Sequence, residues 1–218
     1  MMHEGEVNRA RYMPQNPSVI ATKGPSADVL LFDYTRHPSQ PTPGSVCKPE
    51  MRLKGHTKEG YGLSWNSKAA GRLLSGSEDA LILVWDVNAP CSDKGAVQAA
   101  AQFRGHEGPV TDVAWCVHSP SVFGSVGDDG MLLLWDEKAG GAPTNKPARS
   151  HAAEINCLAF SPHREHLLLT GSADKTVKLW DTRSLVAPLH SFVKHQDTIT
   201  QVQWSPSREE LFVSAGLD

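Results

Sequence analysis

The chain has 218 residues, with 21 lysines and arginines against 24 aspartates and glutamates and a formal net charge of −3. That balance excludes a strongly basic nucleic-acid binder. Apolar runs such as ALILVW and MLLLW are too short to cross a bilayer, and no charged-then-apolar signal opens the chain. Cys47, Cys91, Cys116 and Cys157 are scattered without metal-knuckle or redox spacing, so free thiols in a reducing compartment are expected.

The predicted elements come as repeats, each counted from a histidine. Unit 1–50 has His3, an aromatic nine residues on (Tyr12), a hydroxyl at nineteen (Thr22), Ser26 at twenty-three and Phe32-Asp33 from twenty-nine. Unit 51–100 has His56, Trp65, Ser75, Asp79 and Trp85-Asp86 at the same offsets. Unit 101–146 has His106, Trp115, Ser125, Asp129 and Trp135-Asp136. Unit 147–190 has His151, Phe160, Thr170, Asp174 and Trp180-Asp181. Unit 191–218 has His195, Trp204, Ser214 and Asp218, and stops before its tryptophan. Fixed spacing inside units and variable spacing between them marks a repeat architecture.

Within a unit the pattern predicts strands. VTDVAW (110–115) and INCLAF (155–160) alternate, HLLLTGS (166–172) is nearly all apolar, and VKLWD (177–181) follows the turn ADK. A fourth strand reads just before each histidine, as in MRLKGH, AAQFRGH and LHSFVKH. Four short strands per unit of about 40–50 residues is the arithmetic of a β-propeller blade. The expectation is an all-β chain of about five four-stranded antiparallel blades.

The recurring GSEDALILVWD, GDDGMLLLWD and GSADKTVKLWD resemble the WD-repeat β-propeller family along the whole chain. The resemblance implies buried hydrogen-bonded tetrads: His56/Ser75/Asp79/Trp85, His106/Ser125/Asp129/Trp135 and His151/Thr170/Asp174/Trp180. Unit one, with Ser26 and Phe32, would lack a complete set. Asp, His and Ser are also the parts of a hydrolase triad. A catalytic set occurs once in a cleft, whereas this one recurs on apolar strands beside a tryptophan, so no catalytic residue is assigned. No phosphate loop appears, HREH (163–166) lacks further metal ligands, and neither cofactor nor metal is expected.

HEGEVNRARYMPQNP (3–17), SADVLLFDYTRHPS (26–39), LKGHTKEGYGLSW (53–65), FGSVGDD (123–129) and LHSFVKHQDTITQVQWSP (189–206) are similar to one subfamily, the retinoblastoma-binding, MSI-like histone-binding proteins. That resemblance implies a nuclear, non-enzymatic, seven-bladed scaffold. It implies partners among histones H3 and H4 and the subunits of chromatin assembly factor 1, Polycomb, deacetylase and remodelling complexes, with no direct nucleic-acid or membrane contact. Family members carry a leading helix and further blades, so the sequence reads as a part of such a propeller. The side groove for the H4 helix is not expected here.

Offsets three and five read Glu6/Asn8, Glu59/Tyr61, Pro109/Thr111, Glu154/Asn156 and Thr198/Thr200, and are expected to share a face around the channel mouth. Three glutamates with Tyr61 as a platform suit a cationic peptide. The resemblance implies an H3-tail site at Glu6, Asn8, Arg9, Glu59, Tyr61, Glu154 and Asn156. The family commonly has acidic or aromatic residues where Thr111, Thr198 and Thr200 stand. An alternative lies in LWDTR (179–183), a W-D-x-R pattern that would dock a cullin-4 ubiquitin ligase adaptor through Asp181 and Arg183.

Overall fold

Short runs rich in Val, Leu, Ile and Trp, bounded by Gly, Asp, Ser and Pro, become strands in the computed structural model, which describes residues 3–40, 44, 46–90, 96–146 and 148–218. Cys91 lies outside the described residues. Among them, one 3-10 turn at Tyr34–Arg36 is the only helical element.

The first sheet runs β1 (Arg9–Met13), β2 (Asn16–Lys23), β3 (Val29–Asp33) and β4 (Met51–Lys54), each antiparallel to the next. The second opens with β5 (Leu63–Trp65), β6 (Arg72–Gly76) and β7 (Leu81–Asp86). The chain then lies along β4 as β8 (Ala96–Gln98), in parallel, before β9 (Ala101–Arg104) completes the second sheet against β7. The third sheet is β10 (Val110–Trp115), β11 (Val122–Gly127) and β12 (Leu132–Asp136). The fourth is β13 (Ile155–Phe160), β14 (Leu167–Ser172), β15 (Val177–Asp181) and β16 (His190–Phe192). The fifth pairs β17 (Ile199–Trp204) with β18 (Phe212–Gly216).

The second and fourth sheets have four strands each, and the others depart from that number. The first gains β8, whose Val97 packs with Leu53 in the core. The third has no fourth strand, because residues 137–146 are rich in Gly, Pro and polar residues and have no alternation to pair. Polar groups of that loop occupy the open edge of β12 instead. Asn145 accepts from the Leu134 amide at 2.8 Å and donates to the Leu132 carbonyl at 3.1 Å, while the Thr144 amide donates to the Leu134 carbonyl at 2.7 Å. Met131 and Arg149 add one isolated bridge. Sheet and sequence unit are also offset: β4 and β9 each come from the start of the following unit, so the second and third units are each tied by a strand to their predecessor.

The core lies between successive sheets. Ala21 and Leu31 pack with Trp65, Leu73 and Trp85; Leu74 and Val84 with Val113, Phe123 and Trp135; Val126 and Leu134 with Leu158 and Phe160; Leu169 with Ile199, Val202 and Trp204. Burying a side chain of this kind is worth about 1.5–3 kcal/mol, so each sheet depends on its neighbours.

Hydrogen bonds repeat across the same joints. The offset-nine indole donates backwards: Trp65 Nε1 to the Arg11 carbonyl at 2.9 Å and Trp204 Nε1 to the Ala159 carbonyl at 3.0 Å. Offset twelve donates forwards: Gln15 to the Asn66 carbonyl, His118 to that of Ser161 and His163 to that of Ser205. His163, from the HREH string, is thus a joint between blades.

Candidate functional site

The three full repeats assemble the same chain of side chains. Histidine Nδ1 lies 3.1 Å from Asp79 in one, 2.8 Å from Asp129 in the next and 2.9 Å from Asp174 in the third. Histidine Nε2 lies 2.7 Å from the Ser75, Ser125 or Thr170 hydroxyl, which accepts the Trp85, Trp135 or Trp180 indole N–H at 2.8 Å. Since the hydroxyl accepts from the indole, it donates to Nε2, and Nδ1 donates to the carboxylate. Every member is then satisfied by a neutral histidine. Burial drives His151 down to about 4, against the pull of Asp174. Burial opposes ionisation of Asp79 and Asp174, but hydrogen bonds from His56 and the Thr57 amide, and from Thr176 and the Ala152 amide, hold both at about 2. All three hydroxyls are fully buried and committed on both sides, so none is an accessible nucleophile.

The fifth repeat has its partial set, with His195 at 2.8 Å from Asp218 and 2.7 Å from Ser214. In the first, His3 packs on Phe32 with ring centroids 4.9 Å apart, and the Thr22 hydroxyl turns to the Leu30 carbonyl at 3.4 Å.

At the mouth, offset five is a bulge. Pairing skips Thr111, Asn156 and Thr200 in β10, β13 and β17, which redirects those side chains. The Thr111 hydroxyl donates to the Ile155 carbonyl, and Asn156 Nδ2 donates to the Ile199 carbonyl at 2.8 Å. Asn8 Nδ2 donates to Glu59 Oε2 at 3.0 Å and to the Gly60 carbonyl at 3.4 Å. Asn8, Thr111 and Asn156 are therefore staples to the next blade, and the expectation that offsets three and five share a free face is corrected by the bulge. Tyr61 occupies the same offset, has no side-chain hydrogen bond among the described residues and is 49% exposed.

Acidic residues at offset twenty-two join the mouth, a position that the offset-three and offset-five reading missed. Burial raises the Asp128 carboxyl, and Glu154, Asp129 and Glu78 push it further. Glu78 and Asp128 are locked there by amide bonds to the Glu59 and Pro109 carbonyls. The doubled acid of SED and GDD was the available signal, since only its second member serves the tetrad. Glu6 lines a small pocket with Pro25, Cys47 and Arg52.

Beneath Glu59 lies an unforeseen cation. Lys23 is fully buried and donates to the Gly76 carbonyl at 2.7 Å, close over Gly60, where a Cβ would come within 3.1 Å of its amine. Burial pulls it down to about 7, although Asp79, Glu59 and Glu78 favour its charge.

Arg9 does not join the mouth acids. It points inward from β1 and reaches Asp112 of β10 at 4.0 Å, past Gly62, which leaves the intervening position without a side chain. On the outer rim Arg183 is 67% exposed, but closes on Asp181, with Nε to Oδ1 at 2.9 Å and Nη2 to Oδ2 at 2.6 Å.

Among known protein families, the one described as WD domain, G-beta repeat matches residues 47–86, 98–136 and 145–181, together more than half of the chain. Those segments hold the three complete tetrads.

Proposed function

Because this chain belongs to the WD-repeat family, whose propellers are protein-interaction scaffolds and typically non-enzymatic, we propose that it is a histone-binding scaffold of chromatin assembly, remodelling and histone-modifying complexes. It takes a basic peptide of the H3-tail kind at the channel mouth and works in the nucleus. One observation supports the reading: Glu78, Asp128 and Glu154 come from three successive blades and lie close enough that Glu154 and Glu78 add to the effect of burial in raising the Asp128 carboxyl, while the Glu78 amide donates to the Glu59 carbonyl at 2.9 Å. Such crowding costs free energy in the empty protein and is relieved by a lysine or arginine. Charge-assisted bonds in a partly dry site contribute about 1.5–3 kcal/mol, against 0–1 on an open surface. Tyr61 supplies a flat apolar wall beside them.

Calorimetry with an unmodified H3-tail peptide tests this. Glu59→Lys and Glu154→Lys each weaken binding tenfold or more, about 1.4 kcal/mol, and added salt weakens the wild type. Arg183→Ala leaves binding unchanged. Folded charge-reversal variants that bind like wild type would remove the mouth as the site.

The second reading, an adaptor for a cullin-4 ubiquitin ligase, draws support from the Asp181–Arg183 fork. It holds an exposed guanidinium rigid on the rim, with one edge free for a partner carboxylate or carbonyl. Loss of ligase-adaptor capture by Arg183→Ala, with peptide binding intact, would favour it.

A further inference from the structure

A cavity of about 790 Å³ lies between the inner strands, bordered by residues of β1, β5, β10, β13 and β17. Its charged lining is opposite in balance to the mouth: Arg9 and Arg11 against Asp112 alone. We propose that this cavity is an anion site, in which Arg9 and Arg11 hold a carboxylate or phosphate group.

Arg9 and Arg11 are two apart on one strand, so both side chains take the channel face. Asp112 is already committed. It is 5% exposed, accepts the Leu158 amide at 3.2 Å and faces Arg9 at 4.0 Å. Arg11 makes no ion pair among the described residues, and its one hydrogen bond goes to its neighbour Ala10's carbonyl at 2.9 Å. One guanidinium charge is thus left over in a concave space.

Small residues leave room in front of it. At the offset where β1 has Arg11, the next three blades have Ser64, Ala114 and Ala159, all of which line the cavity.

Trp115 forms part of the wall. It lines this cavity, is 4% exposed, and its Nε1 is the one buried side-chain polar atom without a partner among the described residues. The equivalent N–H groups of Trp65 and Trp204 both have carbonyl acceptors. The Trp115 nitrogen has almost no accessible surface, so the indole contributes an apolar wall to the cavity rather than a donor. Gln201 and Gln203 add amide donors at the rim. Forked guanidinium cations select a group that only accepts, with several oxygens. The volume suits a small molecule or a few peptide residues.

The test is calorimetry on the full chain with three probes: inorganic phosphate, citrate and a tetraglutamate peptide. Wild type binds at least one. Arg11→Gln weakens that binding tenfold or more, and Arg11→Lys, which keeps the charge but not the fork, falls between. Arg11→Gln melts like wild type, since no ion pair is lost. Binding of tetraglutamate alone identifies an acidic peptide segment as the natural ligand; binding of phosphate or citrate alone identifies a small anion. If no probe binds wild type, or Arg11→Gln binds as tightly as wild type, the proposal is overturned. The H3-tail peptide titrated into Arg11→Gln reports on the mouth separately, because Arg11 is not among the mouth carboxylates.

Discussion

The fourth blade and the first solve the same packing problem with opposite chemistry. In the fourth, a buried histidine is satisfied on both sides, by Asp174 and Thr170, and Trp180 closes the chain. In the first, the aspartate and the indole are both absent. Phe32 instead lies between His3 at 4.9 Å and His37 at 5.6 Å, and Glu50 ties the region together by accepting from the Asp33 amide at 2.8 Å and meeting His37 at 3.1 Å. The parallel strand β8 covers the outer edge as well. The difference teaches that once the network loses its aspartate and indole, the members that remain, His3 and Thr22, take other partners. A half-built one would leave a buried donor or acceptor without a partner, which costs more than an apolar replacement.

The largest effect comes from breaking the complete blade. Asp174→Ala lowers stability by about 1–3 kcal/mol, because it strands the His151 imidazole and the Ala152 and Thr176 amides. Urea denaturation measures it. The same blade sets acid sensitivity. His151 is neutral in the fold down to about 4 but protonates near 6.5 when unfolded, so stability is full above pH 6.5 and falls as pH drops towards 4. Asp174, held at about 2 against an ordinary 3.8, extends the loss below pH 3.8. In the Asp174→Ala variant the loss that belongs to Asp174 below pH 3.8 disappears, while the His151 slope extends below pH 4 because the carboxylate no longer raises the imidazole; a slope that ends at pH 4 as in wild type would assign it elsewhere.

A smaller effect, of opposite sign, sharpens the account of the first blade. Lys23 titrates at about 7 in the fold and at 10.5 as a free side chain. Between those values the unfolded chain binds a proton that the fold has released, so stability climbs with pH across that window and gains nothing from Lys23 below it. Lys23→Met removes the climb and raises stability at pH 7 by about 1–2 kcal/mol, a gain limited by the Gly76 carbonyl left without its donor. Thermal melts from pH 6 to 10 decide it; a variant less stable than wild type at pH 7 would show that the amine is a net stabiliser.

The smallest effect is Ser26→Asp, which restores one tetrad member to the first blade. With Phe32 offering no indole donor and Thr22 turned to the Leu30 carbonyl, the new carboxylate has no chain to complete. Stability then changes by no more than about 0.5 kcal/mol. A gain near that lost in Asp174→Ala would mean that the members act singly.

The histidine-anchored spacing was enough to locate the strands, because period-two patterning and fixed offsets are local properties of a chain. VTDVAW, INCLAF and VKLWD are strands with those bounds. The same spacing brings His151, Thr170, Asp174 and Trp180 together, since antiparallel register converts a count along the chain into a distance across it. Partners on another blade were not legible. No count from His3 indicates that Arg9 meets Asp112, that Asn8 is spent on Glu59, or that Lys23 lies sealed against Gly76. Nor does the pattern show that a bulge turns Asn156 away from the mouth, or that β8 runs beside β4. Those outcomes depend on which surfaces face each other once the sheets have packed. At that stage burial and the satisfaction of each polar atom decide where a side chain ends, and neighbours in sequence carry no information about either.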